Sequence, residues 1–195
     1  MLPRLILGSA SPRRSELLKQ LGATFEVRAA DIDETPGDGE DPRSYVQRMA
    51  REKAEALPRG EGEILLTADT TVILDDRSLG KPECADHARE MLHALSARDH
   101  SVCTAVAVLD EEGQGSVSVE TVVTFIELTD TMINQYLETD EPWDKAGAYG
   151  IQGLAGSFVR RVQGSVSNVI GLPQAETREL LAARGMRLGV SPWSQ

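Results

Sequence analysis

Phenylalanine, tyrosine and tryptophan together make up only 4% of this chain, although 41% of its 195 residues are hydrophobic. Its core is therefore expected to be aliphatic. Positive charge is also scarce: 20 Lys and Arg stand against 31 Asp and Glu, a net charge of −11. A chain of that sign is a poor candidate for nucleic acid or membrane surfaces, and a small anionic partner would need basic residues gathered locally. The two cysteines, Cys84 and Cys103, have neither metal-ligand spacing nor a disulfide framework. They read as buried fillers in a reduced, cytoplasmic protein. The three histidines, His87, His93 and His100, sit away from every motif. They read as surface or helix-face residues, which argues against a His-based triad or a zinc site. No apolar run approaches the roughly 18 residues that span a bilayer. Met1-Leu2-Pro3-Arg4 lacks the basic region and cleavage site of a signal peptide. Internal repeats, low-complexity segments, a Walker A loop and a Gly-rich dinucleotide fingerprint are likewise missing.

What is present begins with Gly8-Ser9-Ala10-Ser11-Pro12-Arg13-Arg14. It follows the apolar run Leu5-Ile6-Leu7, read as a buried strand, and precedes a helical pattern that ends at Leu21-Gly22. Ser11 suits the N-cap and Pro12 the first helical position. Two arginines in a first helical turn oppose the macrodipole, a conflict that an anion at the helix start would resolve.

Further strands are expected at Phe25–Ala29, Ile64–Leu74, Ser101–Leu109, Val117–Leu128 and Ser157–Val162. Helices are expected at Pro42–Leu57 with Asp41 as N-cap, then Asp86–Leu95, Thr129–Glu138 and Pro173–Arg184. Asp75-Asp76 reads as a turn, and the tail beyond about residue 185 as loosely ordered. Alternating helices and strands around a central hairpin give an α/β class with a mixed sheet.

Several charged residues break the pattern. Lys53 falls on the apolar stripe Val46, Met49, Ala50, Leu57, and taken alone it reads better as a lysine near the stripe edge whose stem snorkels to water. Asp69 interrupts a near-continuous apolar strand, which is costly unless the carboxylate is paired or metal-bound. Glu34 lies in the acidic run Asp31–Glu34, and Lys81 in Gly80-Lys81-Pro82. Lys145 and Gln152 lie in a Gly-rich stretch whose glycines either punctuate a loop or let backbone approach a planar base. Together, Arg13, Arg14, Lys53, Lys81 and Lys145 could bind a polyphosphate, and Glu34 with Asp69 could hold a divalent cation.

Five ordered motifs carry a resemblance: Gly8 to Arg14, Arg51-Glu52-Lys53-Ala54, Ala68-Asp69-Thr70, Gly80-Lys81-Pro82 and Asp144 to Gly153. They resemble the Maf family of nucleoside triphosphate pyrophosphatases, from about Leu5 to about Leu181. The resemblance implies a single Maf-like domain over residues 1–195. Its fold would be a mixed twisted sheet with flanking helices, in two lobes around a central cleft, related to the inosine triphosphate pyrophosphatases. It implies hydrolysis between the α and β phosphates, and the stretch Ala146 to Gly153 is similar to the subgroup acting on dTTP and UTP. Asp69 matches the proton acceptor, with Lys53 and Lys81 beside it as catalytic residues. Ser9, Ser11, Arg13, Arg14, Thr70, Lys145 and Gln152 are the implied substrate contacts, of which Arg13, Thr70 and Gln152 bear on base choice. Glu34 and Asp69 would hold Mg²⁺ or Mn²⁺, and a cytoplasmic homodimer is implied. The chain departs from the family pattern at Gly8, where alanine is common, at Thr71 and at Val166. An alternative is a nucleotide-binding regulator of cell division or septum formation without turnover. A phosphomonoesterase is a further one.

Overall fold

Leu5, Ile6 and Leu7 are all buried in the first strand, β1 (Arg4–Leu7), of a computed structural model that describes residues 3–189. Burial on both faces suits a parallel strand covered by helices. β1 pairs in parallel with β2 (Phe25–Val27) on one side and β3 (Glu63–Leu74) on the other. The first crossover contains α1 (Pro12–Gln20), capped by Ser11 Oγ on the Arg14 amide and followed by Gly22 at φ +74°. The second contains α2 (Pro42–Ala56), whose first turn is capped by Asp41 on the Ser44 amide at 2.9 Å. Val46, Met49, Ala50, Lys53 and Ala54 form its buried stripe, as the 3.6-residue period requires.

Asp75 and Asp76, at φ 50° and 57°, reverse the chain into β4 (Arg77–Leu79), antiparallel to β3. The turn was legible in the sequence and the strand was not, because three residues with an exposed Arg77 and Ser78 carry no periodicity. After α3 (Ala85–Leu95) come β5 (Asp99–Asp110), β6 (Gly113–Phe125), α4 (Asp130–Leu137), two 3₁₀ turns at Ala146–Ala148 and Leu154–Phe158, and β7 (Val159–Gln163). The five-residue α5 (Val166–Ile170) was not expected either; α6 (Gln174–Ala183) was. The strands form one seven-stranded twisted sheet in the order β2-β1-β3-β5-β6-β7, with β4 on β3. The expected mixed α/β class is thus observed. Residues 186–189 have no regular structure, and the rest of the tail lies outside the described residues.

The chain divides into two compact units. The first holds the described residues up to Asp69, Thr104–Val119 and those from Gly171 onward; the second holds Thr70–Cys103 and Glu120–Ile170. In the first the core is aliphatic, as expected, with Ile6, Leu57 and Leu65 packed together. The second departs from that expectation. Four of the chain's eight aromatic residues pack together there: Phe125 lies edge-on to Tyr149 at 4.8 Å and to Phe158 at 6.1 Å, and Tyr136 meets Phe158 at 5.2 Å. His100 belongs to this cluster and is buried, contrary to its reading as a surface residue, because its ring packs on Phe125 and bonds Tyr149 Oη at 2.7 Å. Cys103 is buried as expected, whereas Cys84 is exposed, at the extended N-cap position just before α3.

Candidate active site

In the first unit the small-residue turn after β1 is tight for a reason internal to the protein. A Cβ on Gly8 would lie 2.5 Å from Thr67 Cγ2 and 2.6 Å from Leu57 Cδ1. Ser9 is buried, and its Oγ accepts from the Ser11 amide and from Arg14 Nη1, each at 3.2 Å. Arg14 Nε donates to the Gly171 carbonyl at 2.9 Å. Burial holds the Arg14 guanidinium below its usual range; Asp69 pulls it back up, Arg13 pushes it down and Glu34 pulls it up again. Two guanidiniums at a helix N-terminus, one of them desolvated, make a local demand for negative charge.

Lys53 and Asp69 meet because two periodicities coincide. Residues 67 and 69 share a face of β3, and residues 50 and 53 lie one turn apart on α2. Thr67 Oγ1 donates to the Ala50 carbonyl at 2.5 Å, and Lys53 Nζ donates to Asp69 Oδ1 at 2.7 Å. Both charged residues are 7% exposed, so Lys53 does not snorkel and Asp69 does not face water. Burial raises the Asp69 carboxyl above its usual range; Lys53 and then Arg14 oppose the rise, and Glu34 adds to it. The same ammonium is 3.1 Å from Glu34 Oε1.

The loop bearing Glu34 is tied to α2 by residues that the sequence did not single out. Tyr45 Oη donates to the Glu34 carbonyl at 2.8 Å, and Arg48 Nη2 donates to the Thr35 carbonyl at 3.2 Å and to Glu40 Oε2 at 2.7 Å. Arg48 also stacks 5.6 Å above the Tyr45 ring. The Tyr45 hydroxyl is pushed up to about 12 by burial and by the charges of Asp69 and Glu34. The one signal available in sequence was the spacing of Arg48 and Glu52 on a helix surface.

No group of three or more His, Cys, Asp or Glu among the described residues could hold a metal by itself. Glu34 and Asp69, however, converge on one point, the Lys53 ammonium. Two hard carboxylate donors fit a divalent cation such as Mg²⁺ or Mn²⁺, whose other positions are filled by substrate oxygens and water.

The second unit holds the other expected residues. Thr70 is half-buried on the β3 face shared with Val72 and Leu74. Lys81 is exposed just after β4, on a segment fixed by the Gly147 amide donating to the Gly80 carbonyl at 3.0 Å. Gly147 needs its φ of +68°, and a Cβ there would crowd Val72 at 3.0 Å. Lys145 Nζ donates to the Glu141 carbonyl at 2.6 Å and to Asp144 Oδ1 at 2.5 Å. Gln152 is exposed on a turn closed by the Gly153 amide and the Gly150 carbonyl at 3.1 Å. The arrangement thus brings Ser9, Ser11, Arg13, Arg14, Glu34, Lys53 and Asp69 into one electrostatic group, and sets Lys81, Lys145 and Gln152 on linked turns.

The family model described as Maf-like protein matches residues 4–184, from β1 to the end of α6. The chain belongs to the Maf family. Among its Maf relatives, a dTTP/UTP pyrophosphatase of Anaeromyxobacter dehalogenans (strain 2CP-1) is 52% identical over 199 residues, covering 100% of both chains. One from Pseudoalteromonas atlantica is 49% identical, covering 91% of this chain and 95% of its own. Another, from Shewanella oneidensis, is 48% identical and covers 93% and 98%. Among solved structures, the Ham1 protein of Staphylococcus aureus covers 91% of this chain and 99% of that one at a TM-score of 0.49 and 13% identity, too distant to bear on function.

Proposed function

We propose that this Maf protein is a nucleoside triphosphate pyrophosphatase that hydrolyses dTTP and UTP to the monophosphate and pyrophosphate. The observation that carries the reading is the buried Lys53–Asp69 pair, electrostatically coupled to the arginine-bearing start of α1. Full-length relatives near 50% identity that bear the name dTTP/UTP pyrophosphatase support it.

Arg13, Arg14 and Lys53 offer three cationic groups to a polyphosphate, and the positive end of the α1 dipole adds to them. Phosphate oxygens would relieve the charge deficit around Arg14 and compete with Asp69 for the Lys53 ammonium. Asp69 then accepts the proton of a water attacking the α-phosphorus in line with the leaving pyrophosphate. Its raised carboxyl is a better base than an ordinary surface aspartate. Lys53 and the arginines stabilise charge that builds on the phosphate oxygens in the transition state. Glu34 and Asp69 would hold Mg²⁺ or Mn²⁺, which when bound neutralises phosphate charge. Of the second unit, Lys81 and Lys145 are assigned to phosphate contact, and Thr70 and Gln152, with Arg13, to base choice. A primary amide can both donate to and accept from a pyrimidine edge. Ser9 and Ser11 shape the turn that receives the phosphates. A cytoplasmic homodimer belongs to the same reading, and two free cysteines are compatible with a reducing compartment.

A nucleotide panel read separately for pyrophosphate and orthophosphate tests the proposal. Pyrophosphate from dTTP and UTP is expected. Orthophosphate alone, or tight binding with no product, overturns it.

A further inference from the structure

The turn carrying Gln152 is gripped at both ends by side chains of the protein itself. At its start, a Cβ on Gly150 would lie 2.7 Å from Lys145 Cε. At its end, a Cβ on Gly153 would lie 2.1 Å from Glu141 Oε2. These two glycines therefore leave room for Lys145 and Glu141. The Glu141 carboxylate accepts from the Leu154 amide at 2.7 Å, the Ala155 amide at 3.1 Å and Tyr136 Oη at 3.0 Å. Leu154 opens a 3₁₀ turn that has no side-chain cap of its own from Gly153, so Glu141 supplies the missing acceptor from thirteen residues away. Lys145 closes the other side, because its ammonium is held by the Glu141 carbonyl. Tyr136, buried in α4, anchors the carboxylate to the aromatic core.

We propose that Glu141 is a positioning residue for base selection: its carboxylate, with the Lys145 stem, fixes the Gly150–Gly153 turn so that the Gln152 amide is presented in one orientation. This rests on the reading of Gln152 as a base-contacting residue. Glu141 itself touches no substrate in this scheme. Its effect is on discrimination between bases, since an amide free to swing accepts several hydrogen-bonding patterns, whereas a fixed one matches few. The distinction from a merely structural role is measurable, because loss of a structural contact lowers stability without coupling to Gln152.

The test is a double-mutant cycle of Glu141→Gln and Gln152→Ala, reading kcat/KM for dTTP, UTP and GTP. Glu141→Gln replaces one carboxylate acceptor with an NH₂ group facing a backbone N–H. It is expected to reduce the preference for dTTP and UTP over GTP by roughly 10- to 100-fold, the scale of a 1 Å misplacement. In the Gln152→Ala background it is expected to reduce that preference no further. Additive effects in the cycle, or an unchanged preference in the single variant, overturn the proposal. Glu141→Asp keeps the charge and withdraws its reach, and supplies the same readout if Glu141→Gln folds poorly; wild-type discrimination in Glu141→Asp overturns it too. Amide hydrogen exchange at Leu154 and Ala155 reads the clamp without nucleotide, and is expected to be faster in either variant. Unchanged exchange overturns the clamp. Faster exchange supports it even in a protein that turned over neither dTTP nor UTP, a result that would defeat the functional reading instead.

Discussion

Replacing Lys53 with methionine removes the ammonium while keeping most of the apolar stem. Asp69 then stays buried without the 2.7 Å contact that Lys53 donates, and without the first of the influences that hold its carboxyl down. Removing one partner of a buried pair costs about 3–5 kcal/mol when the remaining charge persists. That charge need not persist. Burial already favours the protonated carboxyl, and losing Lys53 raises it further. A group whose folded pKa is raised contributes stability that is present below the unfolded value, about 3.9, and is lost as pH rises through the folded value. The deficit of Lys53→Met relative to wild type is therefore smallest in acid. It grows with pH by at most about 1.4 kcal/mol per unit, between the wild-type and variant pKa values of Asp69. Urea unfolding at a series of pH values from 5 to 8 measures it. Adding Asp69→Asn should recover much of the loss and flatten the pH dependence. A deficit that is the same at every pH, or a double variant no better than the single one, refutes the coupling.

Asp69→Asn alone should lower pyrophosphate release from dTTP by about 10²- to 10⁴-fold while the chain remains folded, the range expected for loss of a general base. Gly8→Ala should cost about 1–3 kcal/mol by overpacking against Thr67 and Leu57; Thr67→Ser, which removes the contacted methyl, should return part of the lost Tm. His100, held down at about 4 by burial, should stay neutral in the folded state while the unfolded chain protonates near 6.5. Stability should therefore fall by about 3 kcal/mol as pH drops from 6.5 to 4, and His100→Phe should remove that slope in denaturation curves. Glu63 is held at about 2 by Arg28, the Gly60 amide and Arg4. Its contribution is present above pH 4.5 and lost as pH falls towards 2, so Glu63→Gln should shift the acid-unfolding midpoint upward.

The features legible in the sequence were those with a period or a local rule. The apolar runs of β1 and β3, the stripe of α2 and the caps at Ser11 and Asp41 all follow from short-range chemistry. The short β4 and α5 carry no such pattern. Asp69 stood out because a carboxylate in an apolar strand is expensive. Lys53 did not, since a lysine on a helix stripe is better explained, taken alone, by a stem that snorkels; only the packing of α2 on β3 overturns that reading. Lys81, Thr70 and Gln152 became candidates through the resemblance and not through their own surroundings. Glu141 gave no signal at all. It lies in the polar run Thr139-Asp140-Glu141-Pro142, and its partners are amides thirteen and fourteen residues later. Scarcity of aromatics predicted an aliphatic core, but composition does not say where the few rings gather.

In the proposed reaction water attacks the α-phosphorus. Hydrolysis of dTTP in water enriched in ¹⁸O, with both products analysed by mass spectrometry, tests it most directly. One labelled oxygen in the monophosphate and none in pyrophosphate is the predicted result. Label in pyrophosphate, or release of labelled orthophosphate in its place, would contradict it.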